Sequence, residues 1–361
     1  MKWLWRGLVV VIAIGVLGAL GFLAMKRQMG ETMFRTAAMK QVGRDRSADL
    51  PDGLQVYLCG TGSPLPDPAR NGPCVGIVAG TRAFVFDAGS GGARRLARMG
   101  FPTGRVEHVY LTHLHSDHID GLGDVMLQAW VGGSRHTPLP VSGPAGVADV
   151  VAGFNGAYRI DSGYRTAHHG AKVADPGGFG GVAEEIDIPD GPPGRKVVLD
   201  DGGVRITAIT VDHGPVKPAF GYRIDYKGRS VALSGDTVYF PGFVEAARGA
   251  DLMLHEALNP KLVMMMHDAA EKNGQPNLAQ VMHDIINYHS TPEDAARAAK
   301  EAGVKRLVLY HIVPPLPSRL LDAAFLGDAH KVFSGPLEIG ADGELFSLPA
   351  GSADIRRTRP G

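Results

Sequence analysis

The sequence predicts an α/β protein: an αββα sandwich of two mixed β-sheets with outer helices, preceded by an N-terminal transmembrane helix. Three observations lead there. Residues 8–25, "LVVVIAIGVLGALGFLAM", carry no charge and are long enough to cross a bilayer. From Gly53 onward, short apolar runs alternate with glycine-rich turns, as strands do. That pattern occurs twice, each half running strands and then a helix, which favours two sheets packed together under outer helices. With 361 residues, 44% of them hydrophobic, the chain can bury a substantial core.

The elements follow in order. Residues 1–27 read as the anchor. Trp3 and Trp5 suit the membrane interface, and "GFLAMKRQ" lacks the small-residue pattern of a signal-peptide cleavage site. Lys2 and Arg6 favour a cytoplasmic N-terminus, against Lys26, Arg27, Arg35 and Lys40 on the other flank. The expectation is a domain on the periplasmic or extracellular side. Residues 28–50 read as a polar tether, 51–350 as one large domain and 351–361 as a polar tail. In that domain "LQVYLCG", "CVGIVAG", "RAFVFDAG" and "VEHVYLTH" read as strands, and "GGARRLARMG" as a short helix ended by Gly100. "GLGDVMLQAWVGG" fits a helix and "LPVSGPAG" a strand and turn. Residues 173–196, rich in Gly, Pro and acid, read as loops. "VRITAITVDHG", "AFGYRIDYKG", "RSVALSGD" and "ADLMLHEA" form the second run of strands. "TPEDAARAAKEAGV" is a helix that Ser290 or Thr291 can cap, with Pro292 in its first turn and Gly303 past its end. "KRLVLYHIVPP" is a last buried strand.

Composition limits the function. The 37 Lys and Arg balance the 37 Asp and Glu, so the broad basic face of a non-specific nucleic-acid binder is not expected. Cys59 and Cys74 are the only two cysteines, too few for a multi-cysteine zinc site. They are expected as small packed hydrophobes; a bridge between them is the minority reading.

The chemistry concentrates in "THLHSDHIDGL", residues 112–122. His113, His115, Asp117 and His118 are imidazole and carboxylate donors suited to Zn²⁺ or a similar divalent ion. Side chains alternate along a strand, so His113 and His115 point the same way, while Asp117 and His118 follow at the turn. Four donors cannot fill two metal sites, and three more arrive at strand ends: His213 in "TVDHGP", Asp236 in "ALSGDT" and His311 in "LVLYHIVPP". The expected site is dinuclear. His113, His115 and His213 hold one ion, Asp117, His118 and His311 the other, and Asp236 bridges them.

Together, "GTGSPLPDPARNGP", "FVFDAGSGG", "LTHLHSDHIDGL", "VDHGP", "FGYRI", "SGDT", "LHEA", "HSTPEDAA" and "LVLYHIVPP" resemble the metallo-β-lactamase fold superfamily. Within it they are similar to the branch of ribonuclease Z and zinc-type arylsulfatases. The resemblance spans most of residues 53–315. Diiron flavoprotein oxidases replace the second histidine of the core by glutamate, whereas His115 is kept here. The commonest β-lactamases use a late cysteine ligand, and none follows Cys74. The resemblance implies a hydrolase with two Zn²⁺ ions, Mn²⁺ or Fe²⁺ being alternatives, that acidify a shared water, and it implies a homodimer. Asp117 would orient the nucleophile, His289 protonate the leaving oxygen and Glu256 steady His289.

Arg70, His168 and His169 are the candidates for binding an anionic substrate, the two histidines on a loop. His255 is expected inside a strand; His108, His136, His267, His283 and His330 lack any such context. Met264, Met265 and Met266 read as helix core. Ribonuclease Z trims transfer-RNA precursors, and similar enzymes clamp the RNA with a long basic arm. Here residues 171–196 are short and acidic. The family's P-x-K-x-R-N loop appears with Pro66, Pro68, Arg70 and Asn71, proline replacing the lysine. These departures disfavour nucleic acid and place a small anionic ester, sulfate or phosphodiester, first. A transfer-RNA 3′ processing endoribonuclease is the alternative, and a lactonase or thioesterase a further one. A membrane-tethered binding protein without activity is disfavoured because no donor is missing.

Overall fold

The computed structural model describes residues 2–189, 191 and 194–360. The chain divides into two compact units, one up to Asp45 and the other from Arg46 onward. The first is essentially α1 (Lys2–Gln41), a 40-residue helix with no buried residue and apolar enough to cross a membrane by length and composition. It runs through much of the segment expected as a polar tether. Residues 28–41 are good helix formers that carry on the turns begun in the apolar stretch.

The second unit holds two sheets. The first contains β1 (Gly53–Gly60), β2 (Cys74–Ala79), β3 (Arg82–Phe86), β4 (Val106–Tyr110), β5 (Leu139–Gly143) and β6 (Gly181–Glu185). The second contains β7 (Arg195–Asp201), β8 (Val204–His213), β9 (Val216–Tyr226), β10 (Arg229–Leu233), β11 (Leu252–Leu258), β12 (Arg306–Val313) and β13 (Leu337–Ile339). The chain then returns to the first sheet with β14 (Glu344–Pro349) and β15 (Arg356–Thr358). The strand orders are β15-β14-β1-β2-β3-β4-β5-β6 and β13-β12-β11-β10-β9-β8-β7. Both sheets are mixed: β3 to β6 and β10 to β13 run parallel, and the other neighbours antiparallel. β15 lies in the segment read as a polar tail, its exposed arginines masking an edge strand.

The layers follow from period-two alternation. Leu54, Val56 and Leu58 of β1 enter the core between the sheets with Phe84, Phe86, Tyr222 and Tyr310. Tyr57 and Cys59 point the other way, beneath α2 (Gly92–Met99), α4 (Leu122–Gly133) and α5 (Val147–His169). The short α3 (Ser116–Ile119) follows β4. The second sheet is covered by α6 (Pro241–Ala246), α9 (Pro292–Ala302), α10 (Asp322–Leu326) and α11 (Ala329–Val332). α7 (Pro260–Lys272) and α8 (Pro276–Asp284) pair as a hairpin over a satellite cluster of Leu258, Val263, Met282 and Val313. Each fully buried Leu or Phe contributes roughly 1.5–3 kcal/mol, and the central layer and both outer layers bury clusters of such residues. Thr291 caps α9 with a full capping box to Asp294, and Gly303 ends it in the left-handed region.

Three local expectations are corrected. Cys59 and Cys74 are joined in a disulfide on the neighbouring strands β1 and β2. "YRTAHHG" is the last part of the 23-residue α5, not a loop. Residues 173–196 are not all loop: β6 pairs with β5, Ile186 enters the core, and β7 begins at Arg195. Met266 packs on the satellite cluster, while Met265 is exposed.

Candidate metal centre

β4 and the turn after it deliver the first donors. Beyond β3, Asp87 adopts a positive φ of 54° and turns its carboxylate inward. Its Oδ1 accepts the Thr112 amide at 2.8 Å and its Oδ2 the Thr112 hydroxyl at 2.9 Å. This anchors the "THLHSDH" turn at its first residue. α3 then places Asp117 and His118 side by side, both buried.

The second sheet supplies the facing donors. His213 ends β8 and Asp236 follows β10. His311 sits in a bulge of β12: Glu256 pairs with Tyr310 and Ala257 with Ile312, leaving His311 unpaired at φ 48°. The extra residue re-aims its side chain out of the sheet and into the site.

The donors form two groups around Asp236. His113 Nε2 stands 2.9 Å from His115 Nδ1, and His213 Nε2 3.4 Å from the same atom. Asp117 Oδ2 lies 3.6 Å from His118 Nε2 and 3.3 Å from His311 Nε2. Asp236 Oδ2 lies 3.4 Å from His118, 3.2 Å from His311 and 3.9 Å from both His113 and His213. Nitrogen and oxygen donors about 2.1 Å from one tetrahedral ion stand roughly 3.4 Å apart, a spacing close to that of both groups. His118 Nε2 and Asp236 Oδ1 are buried without a hydrogen-bond partner, which costs about 1–3 kcal/mol each in the protein alone. Cations at these positions would satisfy them.

On three of the histidines the ring nitrogen that faces away is committed, whereas His311 Nδ1 is buried without a partner. His118 Nδ1 is 2.9 Å from Asp87 Oδ2, His113 Nδ1 is 3.1 Å from the Thr112 hydroxyl, and His213 Nδ1 is 3.0 Å from the Tyr288 carbonyl. Such contacts fix ring orientation and leave the inner nitrogen available to a metal. Burial holds His113 well below its usual pKa, helped by the neighbouring His118. Burial likewise lowers His213 to about 4. At His118 burial acts in the same sense, but Asp236, Asp87 and Asp117 together outweigh it and raise the imidazole well above its usual value. Burial pushes Asp236 upward, and His311 and His118 outweigh it, holding the carboxylate well below its usual range.

His289 stands at the wall of the same cavity, its Nδ1 2.9 Å from Glu256 Oε1. Glu256 is itself fixed by the amides of Thr237 and Ser290, both at 3.1 Å. The Nε2 of His289 is thus the atom left to the cavity. The structure therefore gathers His113, His115, Asp117, His118, His213, Asp236, His311, His289 and Glu256. It does not bring the other three candidates there. Arg70 is largely buried and bonds the Thr61 hydroxyl and the Gly340 carbonyl, beside a separate polar cleft with Arg319 and Asp322. His168 and His169 are exposed at the end of α5 and do not line the cavity. Asp87 and Thr112 are the members that sequence reasoning missed. Asp87 carries the same signal as His213 and Asp236, a polar residue just past an apolar strand. A larger cleft of about 530 Å³ on β7, β8 and β9 contains Arg195, Arg205 and Arg223, and all three are ion-paired to acids.

Comparison with known proteins agrees with this geometry. A family described as "Beta-lactamase superfamily domain" matches residues 82–312. Ribonuclease Z of Mycobacterium avium (strain 104) is 39% identical over 293 residues, 80% of this chain and 96% of that protein. Ribonuclease Z of Mycobacterium bovis (strain BCG / Pasteur 1173P2) is 38% identical over 292 residues, 80% of this chain and 96% of that protein. Among solved structures, the short form of human tRNase Z superposes with a TM-score of 0.58 at 24% identity, covering 82% of this chain and 99% of that one. A metallo-beta-lactamase fold protein of Bacillus subtilis gives 0.57 at 24%, over 81% and 99%. The chain belongs to the beta-lactamase superfamily, in the branch of the ribonuclease Z relatives, and is a metal-dependent hydrolase of ester bonds.

Proposed function

We propose that the protein is a ribonuclease Z-type phosphodiesterase that cleaves RNA at the 3′ side of transfer-RNA precursors, working with two zinc ions. The observation that carries this reading is a full set of seven donors, in two groups sharing Asp236, in a chain so similar to relatives named ribonuclease Z. It reverses the order in which the sequence placed RNA and small esters. The acidic stretch that weighed against RNA lies partly in β6 and is not among the residues lining the cavity. Its repulsion therefore need not act on the scissile phosphate. Nitrogen and carboxylate donors at tetrahedral spacing suit Zn²⁺, with Mn²⁺ or Fe²⁺ as competitors.

When bound, the two ions would acidify a shared water and neutralise charge on the phosphoryl oxygens. The chain's own residues do the rest. Asp236 sets the spacing of the two donor groups. Asp117 adds a carboxylate oxygen at the cavity floor that can orient the attacking water. His289 presents Nε2 towards the cavity and can pass a proton to the leaving oxygen, while Glu256 fixes the ring through Nδ1.

A second reading is favoured by two observations: the Cys59–Cys74 disulfide and the apolar helix α1. Disulfides persist in oxidising compartments. Both features support a domain held outside the cytoplasm, where transfer-RNA precursors are absent and a small anionic ester would be the substrate. The test is one panel with the zinc-loaded full chain in detergent: a precursor transfer RNA, bis(p-nitrophenyl) phosphate and p-nitrophenyl sulfate. Accurate 3′ cleavage of the RNA is expected. Sulfate-ester turnover with the RNA left intact would replace this reading by the second.

A further inference from the structure

The cavity above the donors has two unlike halves. Its floor is His115, Asp117, Asp236 and His311, with His289 to one side. Its other wall is apolar: Leu65 from the loop after β1, Val281, Met282 and Ile285 from α8 and the turn that follows, and Val313 from the end of β12. Among the described residues, no lysine or arginine lines it. The cavity measures about 220 Å³, room for one ester group and one ring at the reacting centre.

The apolar wall is more than core. Met282 and Val313 are buried in the satellite cluster, with Leu65 and Ile285 packed against it. Val281, which also lines the cavity, remains 50% exposed, and Leu278 one turn earlier 45%. Leu278, Val281 and Met282 share one face of α8, and Ile285 continues it in the turn that follows. The helix thus holds apolar side chains at the rim of a polar site, where water meets them unless a ligand does. Tyr288 extends this wall to the chemistry, its ring 4.9 Å from that of His289 and 5.0 Å from that of His213.

We propose that the α8 face, with Leu65 and Val313, is a binding subsite for a flat aromatic ring carried by the ester next to the scissile bond. This rests on the ester-hydrolase reading and deepens it. The centre would take one anionic group on its floor and one ring on its wall. A second phosphate close to the first would meet side chains without charge. A nucleobase or the aryl group of a small ester supplies the same chemistry.

The probes are methylphosphonate and phenylphosphonate, anions of equal charge that differ by the ring. Binding to the zinc-loaded full chain in detergent is read by titration calorimetry, so no turnover is needed. Phenylphosphonate is expected to bind about tenfold tighter, the ratio given by burying roughly 60 Å² more apolar surface at about 25 cal/mol/Å². Val281→Asn and Ile285→Asn should reduce that ratio to about threefold or less at unchanged zinc content. Uridine 5′-monophosphate against ribose 5-phosphate separates the sources. A gain from uracil assigns the wall to a nucleobase, and a gain from phenyl alone assigns it to an aryl ester. Equal affinity for the two phosphonates, or no binding of either to protein carrying two zinc ions, overturns the subsite. Phosphodiester turnover without ring preference would sink the subsite and leave the hydrolase standing. Ring-selective binding without turnover of any ester would do the reverse.

Discussion

At the scale of single residues, the donors divide by how they announce themselves. His213, Asp236 and His311 were legible because each ends or interrupts an apolar strand, and "HLHSDH" because no structural need puts so many titratable groups in so few positions. Asp87 sits in the same kind of place, but a lone aspartate past a strand also reads as turn chemistry. Only its contacts with Thr112 and His118 separate the two. Arg70 shows the opposite failure. An arginine in a glycine- and proline-rich loop looks available, and its burial against Thr61 and Gly340 depends on β13 and β14, far along the chain. The role of Asp87 can be measured. Asp87→Ala should weaken zinc affinity by about 10–100-fold, as loss of a carboxylate behind a ligating histidine does; equal chelator resistance in variant and parent would refute it. His289→Ala should keep both ions. It should slow cleavage of an ester with a poor alkoxide leaving group by about 10²–10⁴-fold and that of p-nitrophenyl esters far less, because only the poor leaving group needs the proton. A uniform loss across leaving groups would mean that His289 does not act as the acid.

At the scale of elements, the strongly alternating strands were readable and the weakly patterned pieces were not. α5 escaped because Gly153, Gly156 and Gly163 interrupt its helical pattern. All three face open space, so the helix tolerates them without loss of packing. β13 and β15 are three residues each, too short to show a period. The disulfide was hidden by register. β1 and β2 pair regularly from Leu54 to Leu58, then shift before Gly60 meets Cys74, and the irregularity at Cys59 brings the two sulfurs together. That bond closes the loop carrying Ser63, Pro64 and Leu65 to the cavity wall. The sequence separation is 15, for which chain entropy gives about 3 kcal/mol of stabilisation. Cys59→Ser with Cys74→Ser should lower urea-unfolding stability by about that amount. Zinc content should not change, because no donor lies in the loop. Loss of zinc in this variant would show that the loop braces the centre, through the Ile312 amide donating to the Thr61 carbonyl beside His311.

At the scale of the whole molecule, the candidate metal centre and the long apolar helix belong to different units. Every donor, and the disulfide as well, lies beyond Arg46, while α1 buries none of its residues. A 40-residue helix is about 60 Å long, roughly twice the hydrocarbon core of a bilayer. Its apolar residues 8–25 are long enough for one crossing, and the polar remainder would extend beyond a membrane so crossed. Sequence reasoning marked the apolar stretch from composition but ended the helix early, since helix propensity continues where hydropathy stops. Removing residues 1–45 should therefore release the protein from the membrane without disturbing the catalytic unit. The shortened chain is expected in the soluble fraction, with two zinc ions and the parent's kcat on bis(p-nitrophenyl) phosphate. The full chain should stay with the membrane through alkaline carbonate washing. A shortened chain that still sediments with membranes would place membrane affinity in the catalytic unit. One that loses zinc would show that α1 supports the fold, and the two units would then have to be treated as one.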